Sequence, residues 1–246
     1  MNTIKESPYR THRINAVIVG ALFIIATVAG TIAASIGNPI LDAPDYLTEI
    51  SANEGTMIIR AFLTFLMAIS CAGIGLGLYP IMRKYSVGMA IGTVGFRVIE
   101  SMIQILGGAS TIALLALSQE FVKAGATDAA YFQTIGAVIK AGDDWLGNGV
   151  MLLSWCIGAF MYYSLFYQYR LVPRWLSGWG LVGITLTIIT SVLVMLHVIP
   201  GFGTIQVIAN LPIALQEMVF AIWLIAKGVN SPVATSQPMP VQVAMS

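Results

Sequence analysis

Charge is the scarcest feature of this chain. Of its 246 residues, 12 are Lys or Arg and 11 are Asp or Glu, so 9% are charged, where a soluble domain carries about 25%. So little charge cannot cover a water-facing surface, which excludes an ordinary soluble domain. Basic residues are too few for the clustered basic face that nucleic-acid binding needs, so no nucleic-acid partner is expected. The two cysteines, Cys71 and Cys156, lie within apolar stretches. They build neither a disulfide framework nor a cysteine metal site, and they read as packing residues. The chain has no Gly-x-Ser-x-Gly, no His-Glu-x-x-His, no cysteine and histidine ligand cluster and no phosphate loop. No metal and no cofactor is therefore expected, and motif alone names no catalytic residue.

What the chain does have is apolar length. Hydrophobic residues make up 57%, and the mean hydropathy is +0.84. Six apolar segments run over residues 14–36, 56–82, 87–119, 145–168, 176–199 and 207–227. Each exceeds the roughly 20 residues that cross ~30 Å of hydrocarbon at 1.5 Å per residue. The expected architecture is all-α: a polytopic bundle of six transmembrane helices in contact with the lipid bilayer. Residues 1–13 form an amino tail, 14–228 the transmembrane domain and 229–246 a disordered tail. The first apolar stretch is longer than a signal-peptide h-region, so it reads as a retained helix. Lys and Arg gather in the amino tail, at Arg83 and Lys84, at Arg170 and Arg174, and at Lys227. The alternate loops are acidic, with Asp42, Asp45, Glu49 and Glu54 in the first. By the positive-inside rule both termini are cytoplasmic.

Against this background the polar residues within spans stand out. Gly95-Phe96-Arg97-Val98-Ile99-Glu100 puts two formal charges near the middle of the third span, about ten residues or ~15 Å from its start. A charge at that depth costs about 2.5 to 3.5 kcal/mol on insertion scales, so it needs partners or a task. Arg97, Glu100 and Gln104, at spacings of three and four, form one polar stripe that must face the bundle interior. Arg60, Arg97, Glu100 and Glu217 are the Lys, Arg, Asp or Glu residues deep in the spans, and they sum to zero. Arg60 either snorkels to headgroups or pairs inward with an acid. Asn148 lies one turn below Asp143, Asp144 and Trp145 in the fourth span. In the sixth span Pro212, which has no N–H to donate, predicts a bend one turn before Glu217, with Asn210 nearby. Arg60, Asn148, His197 and Asn210 all fall in the half of the bundle remote from the termini. The expected site is thus an outward-opening polar cavity whose ligand-binding set is Arg97, Glu100, Gln104, Glu217, Arg60, Asn148 and Asn210.

The remaining features read as structure. Gly73, Gly75 and Gly77, like Gly88 and Gly92, allow close helix packing. Tyr162, Tyr163, Phe166, Tyr167 and Tyr169, with Trp175 and Trp179, read as an aromatic belt. His197 reads as an interfacial residue, and Asn53 or Ser51 as a cap for the second span.

Several separated motifs resemble one family. They are the run from Arg13 to Gly30, Glu54-Gly55 with Arg60, Gly95 to Glu100, Trp175-Leu176-Ser177-Gly178, and Leu211-Pro212 through Glu217 to Trp223-Leu224-Ile225-Ala226-Lys227-Gly228. Together they resemble the bacterial membrane-protein family catalogued as domain of unknown function 4386. The resemblance implies a six-helix bacterial inner-membrane protein, picks out Arg97, Glu100 and Glu217, and brings no activity. Asp144 and Asn148 stand on the helix where the family pattern carries histidines, which argues against a histidine metal site. Three functions stay open. One is a cavity that binds a small amphiphilic or anionic ligand, with transport as an extension. Another is an intramembrane enzyme using Glu100 and Glu217 as acid and base on a lipid-like substrate. The third is a non-catalytic component whose buried charges specify packing.

Overall fold

In bilayer hydrocarbon every backbone polar group must be satisfied within its own segment, and the chain meets that demand with helices. The computed structural model describes residues 8–125, 129–201 and 203–230, and no strand occurs among them. Residues 1–7, Asp128 and the tail from 231 onward, including most of the expected disordered segment, lie outside the described residues. The helices are α1 (Pro8–Leu41), the short α2 (Tyr46–Ala52), α3 (Glu54–Met82), α4 (Val87–Ala124), α5 (Ala129–Trp145), α6 (Leu152–Tyr169), α7 (Arg174–Met195) and α8 (Thr204–Ala226). A π-helical turn over Leu146–Met151 joins α5 to α6, making one helical run from Ala129 to Tyr169. Six of these runs are long and apolar enough to cross a membrane, and the chain is a multi-pass membrane protein.

The spans form a closed ring in which α1 packs on α3, α3 on α4, α4 on α6, α6 on α7, α7 on α8 and α8 back on α1. The outer faces are apolar: Phe62 is 70% exposed, Leu76 61%, Met102 60% and Val182 63%. In water such a surface would aggregate, whereas in a bilayer it is the lipid contact. The ring closes near the chain ends through Arg13. Its guanidinium donates to the carbonyls of Leu224 (3.1 Å), Ile225 (2.8 Å) and Ala226 (3.2 Å), the last two being acceptors in the final turn of α8. Between the spans, Ser86 caps α4 by accepting from the Met89 amide. Asn53 does not act as the expected cap for α3. Its amide turns back to the Glu49 carbonyl (2.9 Å) and carboxylate (3.3 Å) on α2.

The span ends differ from the apolar segments. The first helix already runs from Pro8, the fourth from Ala129 rather than 145, and the fifth stops at Met195. After that stop, His197 adopts a left-handed φ of 57° and stands exposed in the turn before α8. On α8, Pro212 is accommodated within one unbroken helix. The aromatic residues of α6 divide: Tyr167 and Tyr169 are 42% and 44% exposed, but Tyr162, Tyr163 and Phe166 are fully buried. The belt assignment therefore fails for those three. With Phe23 of α1 and Phe220 of α8 they form a packed ring cluster at centroid spacings of 4.3–6.3 Å.

Candidate functional site

The polar stripe of α4 points into the ring. Arg97 is 2% exposed, and Glu100 and Gln104 are each 4% exposed. The spacing of three brings the Arg97 Nη1 to 2.9 and 3.2 Å from the two Glu100 oxygens. One turn further, Gln104 Nε2 donates to Glu100 Oε1 at 3.2 Å and lies 3.7 Å from the Cys71 sulfur. Glu100 thus accepts charge-assisted and neutral bonds together, as a carboxylate removed from water must.

Two glycines on flanking helices hold the stem of Arg97. A Cβ on Gly75 of α3 would come 3.0 Å from the Arg97 Cβ, and one on Gly158 of α6 would come 3.3 Å from the Phe96 Cβ and 3.8 Å from the Arg97 Cγ. The absence of side chains there lets both helices close on α4, and the Thr93 hydroxyl reaches the Gly158 carbonyl at 3.5 Å. Aromatic faces cover the head of Arg97, with its guanidinium carbon 5.4 Å from the Phe23 ring centre and 5.9 Å from that of Tyr162. Arg97 Nε and Nη2 carry no hydrogen-bond partner among the described residues.

Beside this group lies a cavity of about 230 Å³. Its wall takes residues from α1, α3, α4, α8, the end of the π turn and the start of α6. Arg97, Glu100, Gln104, Glu217 and Asn210 all line it, so the structure brings together five of the seven residues expected from sequence. Most of the rest is apolar, including Phe23, Met67, Ile74, Met151 and Ile213. Starting from Arg97 and Glu217, the lining proceeds along every contributing helix away from the chain ends, to Thr27, Met67, Gln104, Met151 and Asn210. The buried aromatic cluster occupies the side towards the chain ends.

Glu217 is bonded quite differently from Glu100. Among the described residues no cation lies within ion-pair distance of it, and its Oε1 has no hydrogen-bond partner. The Trp155 side chain lines the same cavity as the carboxyl. The neighbouring Gln216 does the structural work on α8: it accepts from the Tyr163 hydroxyl at 2.6 Å and donates to the Leu176 carbonyl at 2.9 Å, tying α6, α7 and α8 together. Asn210 accepts from the Thr187 hydroxyl of α7 at 2.8 Å.

The other two expected residues lie elsewhere. Arg60 donates from Nη1 to the Ala33 carbonyl (3.1 Å) and to Asn38 Oδ1 (2.9 Å), so it pins α3 to the end of α1 rather than lining the cavity. Asn148 is buried in the π turn, where it donates to Asp144 Oδ1 at 3.4 Å and packs on Gly201. Nearby, Lys140 donates to the Leu41 carbonyl and lies 4.5 Å from the Tyr46 ring centre. Burial raises the Tyr46 phenol above its ordinary pKa.

Sequence reasoning missed Phe23, Trp155 and Tyr162 as site residues. Helical spacing offers a signal for two of them: Tyr162 shares a face with Ala159 and Phe166, and Phe23 with Ala16 and Val19, faces that the structure buries. No group of three or more His, Cys, Asp or Glu side chains placed to hold a metal occurs among the described residues. Compared with known proteins, the chain matches no curated protein and no solved structure. The family model of the domain of unknown function DUF4386 does match, over residues 18–228, and so the chain belongs to that family.

Proposed function

We propose that this membrane protein binds a small amphiphilic molecule in the cavity between α1, α3, α4, α6 and α8. The observation that carries the proposal is an apolar-walled space of about 230 Å³ on which unpartnered polar atoms of Arg97, Gln104 and Glu217 are gathered. Buried polar atoms are normally paired, and a purely structural bundle gains nothing by leaving several of them unpaired around one void. A cavity of about 150 Å³ holds benzene, so this one has room for roughly nine heavy atoms. Of the two ligand classes expected from sequence, the amphiphile has the better support, because Glu100 already takes the charge of Arg97. The acid and base reading has less support for the same reason: Glu100 is held by Arg97 and Gln104, leaving Glu217 as the one carboxyl open to exchange.

The test is native mass spectrometry of protein extracted in a mild detergent, comparing wild type with Ala26→Phe, which fills the wall from α1. A small adduct on the wild type that is absent from the variant supports the proposal. An adduct retained equally by both defeats it. We further propose that both termini are cytoplasmic in a bacterial inner membrane, from the Lys and Arg residues Arg83, Lys84, Arg170, Arg174 and Lys227 at the corresponding span ends. Reporter fusions after Lys84 and Arg174 should read cytoplasmic, and an outside signal at both would reverse the orientation.

A further inference from the structure

We infer that the ligand class of this cavity is a small organic cation, an ammonium carried on an aromatic or aliphatic body. The inference rests on the reading that the cavity takes a ligand at all. Arg97 and Glu100 form a 2.9 Å ion pair and cancel. That leaves the Glu217 carboxylate, with Oε1 unpartnered and no cation within ion-pair distance among the described residues. With both carboxylates ionised the cavity holds one uncompensated negative charge in a low-dielectric setting, and such a charge must be met by a proton or by a cation from outside.

The surroundings are suited to the cation. Trp155 lines the cavity together with Glu217, and indole is the aromatic group that holds a positive charge best. The same wall already holds a cation in this way, since Phe23 covers the Arg97 guanidinium at 5.4 Å. Gln104 Oε1, also without a partner, adds an acceptor and no charge. An anion would find the opposite conditions. The charge of Arg97 is already taken by Glu100 at 2.9 Å, its guanidinium carbon lies 5.4 and 5.9 Å from the Phe23 and Tyr162 ring centres, and Glu100 and Glu217 both face the space. The apolar wall then accommodates the body of the ligand.

Three probes of closely similar size separate the charge states: 2-phenylethylammonium, neutral propylbenzene and anionic phenylacetate. Binding is read from the concentration dependence of the unfolding temperature in detergent, because a ligand of the native state stabilises by mass action. The expected result is an apparent Kd about tenfold or more lower for the ammonium than for propylbenzene, with no stabilisation by phenylacetate. Glu217→Gln should abolish that advantage, bringing the Kd of the ammonium to that of propylbenzene in the same variant. Trp155→Leu should reduce it, which provides a second reading if Glu217→Gln does not fold. Equal binding of the ammonium and propylbenzene, tighter binding of phenylacetate, or an ammonium preference that survives Glu217→Gln would overturn the cation assignment while leaving the cavity reading in place. No stabilisation by any of the three probes would defeat both.

Discussion

Helix α4 carries two ion pairs built alike. Arg97 and Glu100 are three residues apart and 2.9 Å from each other, and Glu120 and Lys123 are three apart and 2.7 Å from each other. The first pair has side chains 2% and 5% exposed, the second 63% and 70%. Spacing and contact distance therefore do not tell them apart, and burial does. At the exposed pair water competes for both partners, so the pair contributes little. At the buried pair water does not compete, so each partner depends on the other for most of its solvation. A second contrast lies across the cavity. Glu100 accepts bonds from Arg97 and Gln104, whereas Glu217 leaves Oε1 free.

The largest effect should come from breaking the buried pair. Arg97→Met or Glu100→Gln alone should lower unfolding stability by about 3 to 5 kcal/mol, since each strands its partner, and the double variant should recover much of that loss. Detergent unfolding of all three variants measures the coupling, and simple additivity would show that the two charges are solvated separately.

Next in size are the glycines on either side of the arginine. Gly75→Ala sets a methyl 3.0 Å from the Arg97 Cβ and 3.3 Å from the Val94 Cα, which should cost about 1 to 3 kcal/mol by overpacking. Gly95→Ala, on the α4 turn that carries Arg97 and with nothing within 4 Å, is the control and should be neutral or slightly stabilising. Equal melting of the two variants would deny that close packing holds Arg97 in place.

Smaller again is Glu217→Gln. No cation is stranded and the shape is kept, so stability should change by less than about 1 kcal/mol. A loss comparable to that of Glu100→Gln would move Glu217 into the structural class and abolish the contrast between the carboxylates. The smallest effect belongs to Lys123→Ala, expected within about 0.5 kcal/mol and further reduced by salt.

Much of this was legible in the sequence because membrane burial makes polarity conspicuous. Arg97, Glu100 and Gln104 share a face by spacing alone, and Glu217 stands out by depth. Arg60 and Asn148 group with them by depth, which can be read from the distance to a span end, whereas the direction a helix faces depends on its neighbours. Arg60 is turned to the end of α1 by the Ala33 carbonyl and Asn38, contacts that span more than twenty residues and leave no local pattern. The early start of the fourth helix was hidden for a related reason. Lys140, Asp143 and Asp144 interrupt its hydropathy, and the contact of Lys140 with the Leu41 carbonyl comes from another part of the chain. Phe23 and Trp155 give no contrast in polarity among apolar neighbours, and Tyr162 is hidden in an aromatic run that reads as a belt, although an aromatic ring differs greatly from an aliphatic chain in what it can do to a cation.

The π turn at 146–151 bears on how this family can vary in length. A π turn accommodates one residue more than an α turn, so the flanking helices keep their facing despite the extra residue. One residue could be deleted within 146–151 and leave α6 aimed at Arg97 through Gly158 and α5 aimed at Leu41 through Lys140. The same deletion inside α6 would rotate everything before it by about 100°, carrying Lys140 away from its carbonyl. Among homologues, single-residue gaps in this long helical run should therefore collect at that turn, and the local price of losing it would be the buried seat of Asn148.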